Sequence, residues 1–323
     1  MIGPKVLPTV SSLSAGIGVW LGSNYERWKR RDRFSKNNNT DSDIDSDRKL
    51  LDLSRVVVHA SSTPVNRDGA IVPGQQPTPP TASNRLQEIM KYGYPGFDQI
   101  RSYDNFVLSY DRRHRNAHWV FEQLTPDNLK YDENVSRKSS SFKEDTSIHK
   151  YFRAAPQDYK GYKFDKGHLA AANNHRISQK VLDQTFLLSN ISPQVGEGFN
   201  RGIWNGLEKY VRAVARKNKN VYVCTGPLYL PTPENGKLYV KYEVIGNNQV
   251  AVPTHFFKVL VIEDNSGQLE LQSYVLPNQP IPNGVPLKTY FYPVDAIERA
   301  AGFLLFDKIP KRTFKKINGL KNS

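Results

Sequence analysis

One cysteine in 323 residues, Cys224, leaves no intrachain disulfide to be made. That leans against a small, disulfide-stapled secreted fold and towards a reducing compartment. Set in the apolar run Val221-Tyr-Val-Cys-Thr-Gly, the thiol reads as packing in a buried strand rather than as a nucleophile. No apolar run is long enough to cross a bilayer comfortably. Residues 6–21 are mostly apolar, but they are interrupted by Ser, Thr and Gly and fall short of the ~20 residues a spanning helix needs. There is no Walker phosphate loop, no zinc-type Cys/His spacing and no Gly-x-Ser-x-Gly elbow, which sets aside P-loop, zinc-finger and serine-hydrolase chemistry. An internal repeat is also absent.

Acidic residues are in deficit. Lys and Arg number 45 against 31 Asp and Glu, a formal net charge of +14. Residues 1–84 hold 11 basic and 8 acidic side chains, so most of the excess belongs to the remainder of the chain. A basic folded domain attracts polyanions, of which nucleic acid is the commonest large one.

The chain divides by composition. Residues 1–35 combine the apolar run 6–21 with the cluster Arg27, Lys29, Arg30, Arg31 and Arg33. They read as a targeting or membrane-anchoring segment, with a mitochondrial presequence, a secretory signal and a short anchor all open. Residues 36–84, rich in Ser, Asn, Asp, Thr and Pro, read as a disordered linker. The alternating Asp41, Asp43, Asp45 and Asp47 lack the glycine and closing glutamate of a calcium loop, and read as a solvated acidic patch.

A folded domain is expected over 85–312, with 313–323 as a basic tail. Within it, residues 86–90 suggest a short helix and 92–96 a turn. Residues 105–110 and 117–124 suggest paired strands joined by a basic turn. Further strands are expected at 221–225, 238–245, 255–263 and 269–276. Helices are expected at 203–217, with Leu207, Tyr210, Val211 and Val214 at helical spacing, and at 293–303. Many strands and scattered helices without βαβ alternation predict an α+β fold, a mostly antiparallel central sheet flanked by helices.

The chemistry concentrates in residues 164–212. A glycine directly before His168 offers a tight turn from which a neutral imidazole could take a proton from water. If Asn200 opens the 203–217 helix, Glu208 and Arg212 follow on the same face, eight and twelve residues on. Alone, that row reads more readily as an N-cap asparagine with a helix-spaced ion pair. An Asn amide oxygen together with substrate phosphate would suit a hard cation such as Mg²⁺, which keeps much of its water.

Three blocks carry a resemblance: Phe164-Asp-Lys-Gly-His-Leu-Ala-Ala-Ala-Asn, Thr185-Phe-Leu-Leu-Ser-Asn-Ile-Ser-Pro-Gln and Gly198-Phe-Asn-Arg-Gly-Ile-Trp-Asn-Gly-Leu-Glu. With Cys224-Thr-Gly-Pro-Leu-Tyr-Leu-Pro and Val252-Pro-Thr-His-Phe-Phe-Lys, they resemble in collinear order the DNA/RNA non-specific endonucleases with a ββα-metal site. The similarity is to the mitochondrial endonuclease G branch, which includes the fungal mitochondrial nuclease.

The resemblance implies His168 as general base, Asn200 as the single protein ligand to Mg²⁺ (with Mn²⁺ as substitute) and Glu208 as the carboxylate that orients water. It places Asn190 near the site, holding its geometry, and Arg137 and Arg212 at phosphate. It also implies DNA and RNA as substrates, 5′-phosphate products, a homodimer, and a mitochondrial address at the inner membrane or intermembrane space, with residues 6–21 available for membrane association. Lys166 departs from the family pattern, which has arginine there. It keeps the charge but loses a planar bidentate fork. The rival expectations are a nucleic-acid-binding relative impaired in catalysis, and a secreted nuclease of the same chemistry.

Overall fold

The computed structural model describes residues 99–322; the predicted segments 1–35 and 36–84, the helix at 86–90 and the turn at 92–96 lie outside them. Strands β1 (Gln99–Ser102), β2 (Phe106–Asp111) and β3 (Asn116–Leu124) form an antiparallel meander, β2 and β3 joined by the predicted basic turn. The chain then leaves the sheet. Strand β4 (Phe164–His168), helix α1 (Gln179–Thr185) and strand β5 (Ile191–Val195) follow, with β4 and β5 paired in a small sheet of their own. A π-type segment, Gly196–Trp204, leads into α2 (Asn205–Ala215).

The chain returns to the sheet as β6 (Asn220–Leu228). Two small hairpins follow, β7 (Thr232–Glu234) with β8 (Lys237–Tyr239) and β9 (Val244–Ile245) with β10 (Val250–Ala251). Long strands β11 (His255–Glu263) and β12 (Leu269–Pro277), helix α3 (Val294–Ala301) and strands β13 (Phe314–Ile317) and β14 (Leu320–Lys321) complete the described chain.

The main sheet has eight strands in the order β1-β2-β3-β6-β11-β12-β13-β14. Every pairing is antiparallel except β12 with β13, so the fold is α+β as expected. Both faces are covered, which is why β11 reads as a nearly continuous apolar run rather than an alternation. Its Phe256 and Leu260 pack with Trp204, Leu207 and Val211 beneath α2. Its Phe257, Val259 and Val261 pack on the opposite face with Val294 and Ile297 of α3. Each such side chain contributes roughly 1.5–3 kcal/mol on burial. Cys224 lies in that second layer, fully buried, where desolvation pushes its thiol far above the ordinary range, as suits packing rather than chemistry.

Three expectations are corrected. Residues 313–323 are not a free tail: Phe314 is buried and β13–β14 extend the sheet. Residues 238–245 do not form one strand but contribute to two separate hairpins. The helix expected at 203–217 begins at Asn205, after the π-type segment.

Candidate active site

The site is built almost entirely within the excursion between β3 and β6, where β4, β5 and α2 form a ββα unit. His168 ends β4. The preceding glycine serves strand packing, not the predicted turn. Gly167 pairs with Ser192 in regular register, and a Cβ on it would lie 2.1 Å from Cδ of the buried Gln194. Asn190 secures the chain just past the histidine. Its Oδ1 accepts from Ala170 N at 2.8 Å, and its Nδ2 donates to the carbonyls of Ala170 (3.0 Å) and Thr185 (2.9 Å). With every side-chain polar atom engaged by backbone and 0% exposure, Asn190 braces the chain past His168.

His168 is 7% exposed, and its Nε2 is buried without a hydrogen-bond partner. Its ring packs edge-on against Phe186, with centroids 4.8 Å apart, and tilts against Phe142 at 5.5 Å. Burial, with the positive charge of Arg137 and an unfavourable interaction with His175, pulls its pKa down to about 3. The imidazole is therefore neutral, with a lone pair available, across the physiological range.

Arg137 belongs to this neighbourhood: its guanidinium lies 5.9 Å from the Phe186 ring and acts electrostatically on His168. Lys166, two residues before the histidine, holds its ammonium over two rings, Phe142 at 5.5 Å and Tyr159 at 5.4 Å. That placement favours a retained cation.

Asn200 does not open α2. It sits inside the π-type segment, where Gly198 takes a φ of +76° and Gly202 also departs from helical geometry. A side chain at Gly198 would meet the Ile281 backbone at 2.7 Å, so glycine is required there for both conformation and space. The helical row linking Asn200 to Glu208 and Arg212 is therefore broken. What fixes Asn200 instead is Asp165 on β4, which accepts from its Nδ2 at 2.9 Å and also from Arg201 Nη1 at 2.7 Å. With Nδ2 committed, Oδ1 is the end of the amide left to accept or to ligate.

Among the described residues, no group of three or more His, Cys, Asp or Glu side chains gathers to hold a metal ion. A single amide oxygen fits a cation that retains most of its water, as Mg²⁺ does.

Glu208, half-buried on α2, has its carboxyl raised by desolvation, opposed by the positive charges of Lys258, Arg212 and Arg137. Beneath it lies a buried polar network that sequence reasoning did not find. Glu122 of β3, 1% exposed, accepts from Asn174 Nδ2 at 2.9 Å and pairs with His175 Nε2 at 2.8 Å. Asn174 Oδ1 in turn accepts from Arg212 Nη1 at 3.1 Å. Lys258 of β11, 2% exposed, donates to Thr225 Oγ1 at 2.5 Å and lies 4.9 Å from the Trp204 ring. Burial alone would raise the Glu122 carboxyl, but its hydrogen bond and charge interaction with His175, helped by Lys258, bring it below its ordinary value.

Residues 86–312 match the family described as DNA/RNA non-specific endonuclease. "Endonuclease G, mitochondrial" of Caenorhabditis elegans is 49% identical over 277 residues, covering 84% of this chain and 90% of that protein. "Endonuclease G, mitochondrial" of Homo sapiens is 54% identical over 226 residues, 70% of this chain and 75% of that one. "Mitochondrial nuclease" of Saccharomyces cerevisiae is 43% identical over 243 residues, 71% and 74% of the two chains. A crystal structure of an EndoG/EndoGI complex contains a chain 52% identical, with a TM-score of 0.69, covering 75% of this chain and all of that one.

Proposed function

The chain belongs to the DNA/RNA non-specific endonuclease family, and on that premise we propose that it is a mitochondrial endonuclease that hydrolyses both DNA and RNA with Mg²⁺, or with Mn²⁺ in its place. The observation that carries this reading is a buried, neutral His168 on the same strand as Asp165, which orients Asn200.

The neutral His168 imidazole takes a proton from a water molecule as that water attacks phosphorus. The 3′ oxygen leaves and takes a proton from solvent, His168 returns its proton to solvent, and the product carries a 5′ phosphate. Asn200 Oδ1 would hold the cation, whose positive charge, when bound, stabilises the phosphate and the leaving oxygen. Glu208 would orient water beside that cation when it is bound. Arg137, Arg212 and Lys166 supply positive charge to the scissile and flanking phosphates, which position the strand without reading its bases. Asn190 keeps the backbone after His168 in place.

The retained set of His168, Asn200 and Glu208 favours this reading over a nucleic-acid-binding relative without catalysis. The names of the relatives favour mitochondria over secretion. Residues 6–21 would tie the protein to the inner membrane or place it in the intermembrane space. Import of a reporter carrying residues 1–35 tests this, and secretion of that reporter would reverse the assignment. A homodimer is supported by a run of exposed apolar side chains, Leu238, Tyr239, Val240, Tyr242 and Val244. A monomer's mass by sedimentation equilibrium would refute it.

The decisive assay is degradation of plasmid DNA and of RNA with Mg²⁺, with EDTA, and by His168→Ala. Both substrates should be cut only with metal, and His168→Ala should lose about 10²–10⁴-fold in rate. Undiminished cleavage by that variant would sink the mechanism.

A further inference from the structure

We propose that Asn174 is a positioning residue for nucleic-acid cleavage: it holds Arg212 in the orientation that meets phosphate, and Glu122 on the central sheet dictates which way Asn174 faces. This rests on the reading of Arg212 as a phosphate-contacting residue.

The argument follows the direction of each hydrogen bond. An ionised carboxylate only accepts, so Glu122 Oε1 compels Asn174 to present its Nδ2, which it does at 2.9 Å. The amide's other end is then fixed, and its Oδ1 accepts from Arg212 Nη1 at 3.1 Å. Arg212 is only 7% exposed, Asn174 4% and Glu122 1%, so none of the three is free to reorient in solvent. His175, 1% exposed and adjacent in sequence to Asn174, meets the same carboxylate oxygen at 2.8 Å and pins Glu122 in turn. Because its anchor is a neutral amide, the guanidinium is placed without its charge being neutralised by a direct ion pair. A carboxylate at position 174 would offer Glu122 no donor and would weaken the pull of Arg212 on an incoming phosphate. The arrangement also ties the site to the sheet, since Glu122 sits on β3 and Arg212 on α2.

A double-mutant cycle tests this. Plasmid cleavage with Mg²⁺ is measured for wild type, Asn174→Ala, Arg212→Ala and the double variant, with kcat and KM separated and a thermal unfolding curve for each. Asn174→Ala should lower kcat/KM about 10- to 100-fold, as loss of an orienting partner does at metal sites. In the Arg212→Ala background the same change should have no further effect, because Asn174 acts only through that arginine. Losses that multiply across the cycle would overturn the inference while leaving the role of Arg212 intact. An Arg212→Ala variant as active as wild type would instead refute the phosphate role of Arg212, and the inference with it. Should Asn174→Ala fail to fold, Glu122→Gln takes its place in the cycle. It keeps the volume but lets the amide at 174 face either way, and the same two outcomes decide.

Discussion

Burying an imidazole with an unpaired nitrogen makes protonation costly, and the cost falls on folding as well as on catalysis. The His168 pKa is depressed from 6.5 to about 3, so the unfolded chain binds the proton more readily. The stability contributed is complete above the unfolded value and is lost as pH falls from about 6.5 towards 3. Lowering pH from 7 to 5 should therefore cost about 2 kcal/mol through this residue. Thermal unfolding across that range should show a shallower acid slope for His168→Asn than for the wild type; equal slopes would mean that the buried ring does not resist protonation.

Lys166 offers a second test. The two aromatic rings beneath it accept any cation, so Lys166→Arg should cleave within a few-fold of wild type. Lys166→Met should raise KM for plasmid by about fivefold, in line with the loss of roughly 1 kcal/mol of attraction to phosphate. Equal KM values for the Met variant and wild type would remove Lys166 from substrate contact.

His168, Asn200 and Glu208 stood out in the sequence through the family resemblance, since spacing alone favoured a helix cap and an ion pair. Glu122, Asn174, His175 and Lys258 did not. A charged residue inside an apolar strand run looks like a solvent-facing alternation until it is known that both faces of the sheet are covered.

β4 shows how one element can mislead the reader of its sequence. Asp165-Lys-Gly-His looks like turn chemistry, yet it pairs residue by residue with β5, and the glycine leaves room for Gln194. Gly167→Ala should accordingly destabilise the protein by about 1–3 kcal/mol through overpacking. Adding Gln194→Ala should restore part of that loss in urea unfolding. A double variant no more stable than Gly167→Ala would show that space is not the constraint.

The long strands β2, β3, β11 and β12 were legible because apolar runs bounded by turn residues need no tertiary information. The π-type segment was not. Gly198 and Gly202 interrupt the helical ladder, so periodicity extrapolated backward from α2 carried Asn200 onto a helix it does not join. β13 and β14 were missed because basic residues outnumber the one buried anchor, Phe314.

The sheet divides the domain into a face under α2, on whose side the proposed site lies, and a face under α3, and a perturbation on one should not reach the other. Phe314, buried on the α3 side, offers the clean case. Phe314→Ala should lower stability by about 3–5 kcal/mol, seen as a lower urea midpoint. At a temperature where it remains folded, its kcat on plasmid should match wild type. A large fall in kcat would show that the two faces are coupled.

The adjacency of β3 and β6 also governs how the protein is made. Residues 125–219, which hold nearly all of the chemistry, lie between two strands that must become neighbours. Zipping those strands closes a long loop, and the chain-entropy cost is recovered only when the excursion itself condenses. Closure of β3 on β6 and assembly of the proposed site are therefore expected to be coupled, so that hydrogen-exchange protection of β4, β5 and α2 should appear together with that of β3 and β6 during refolding.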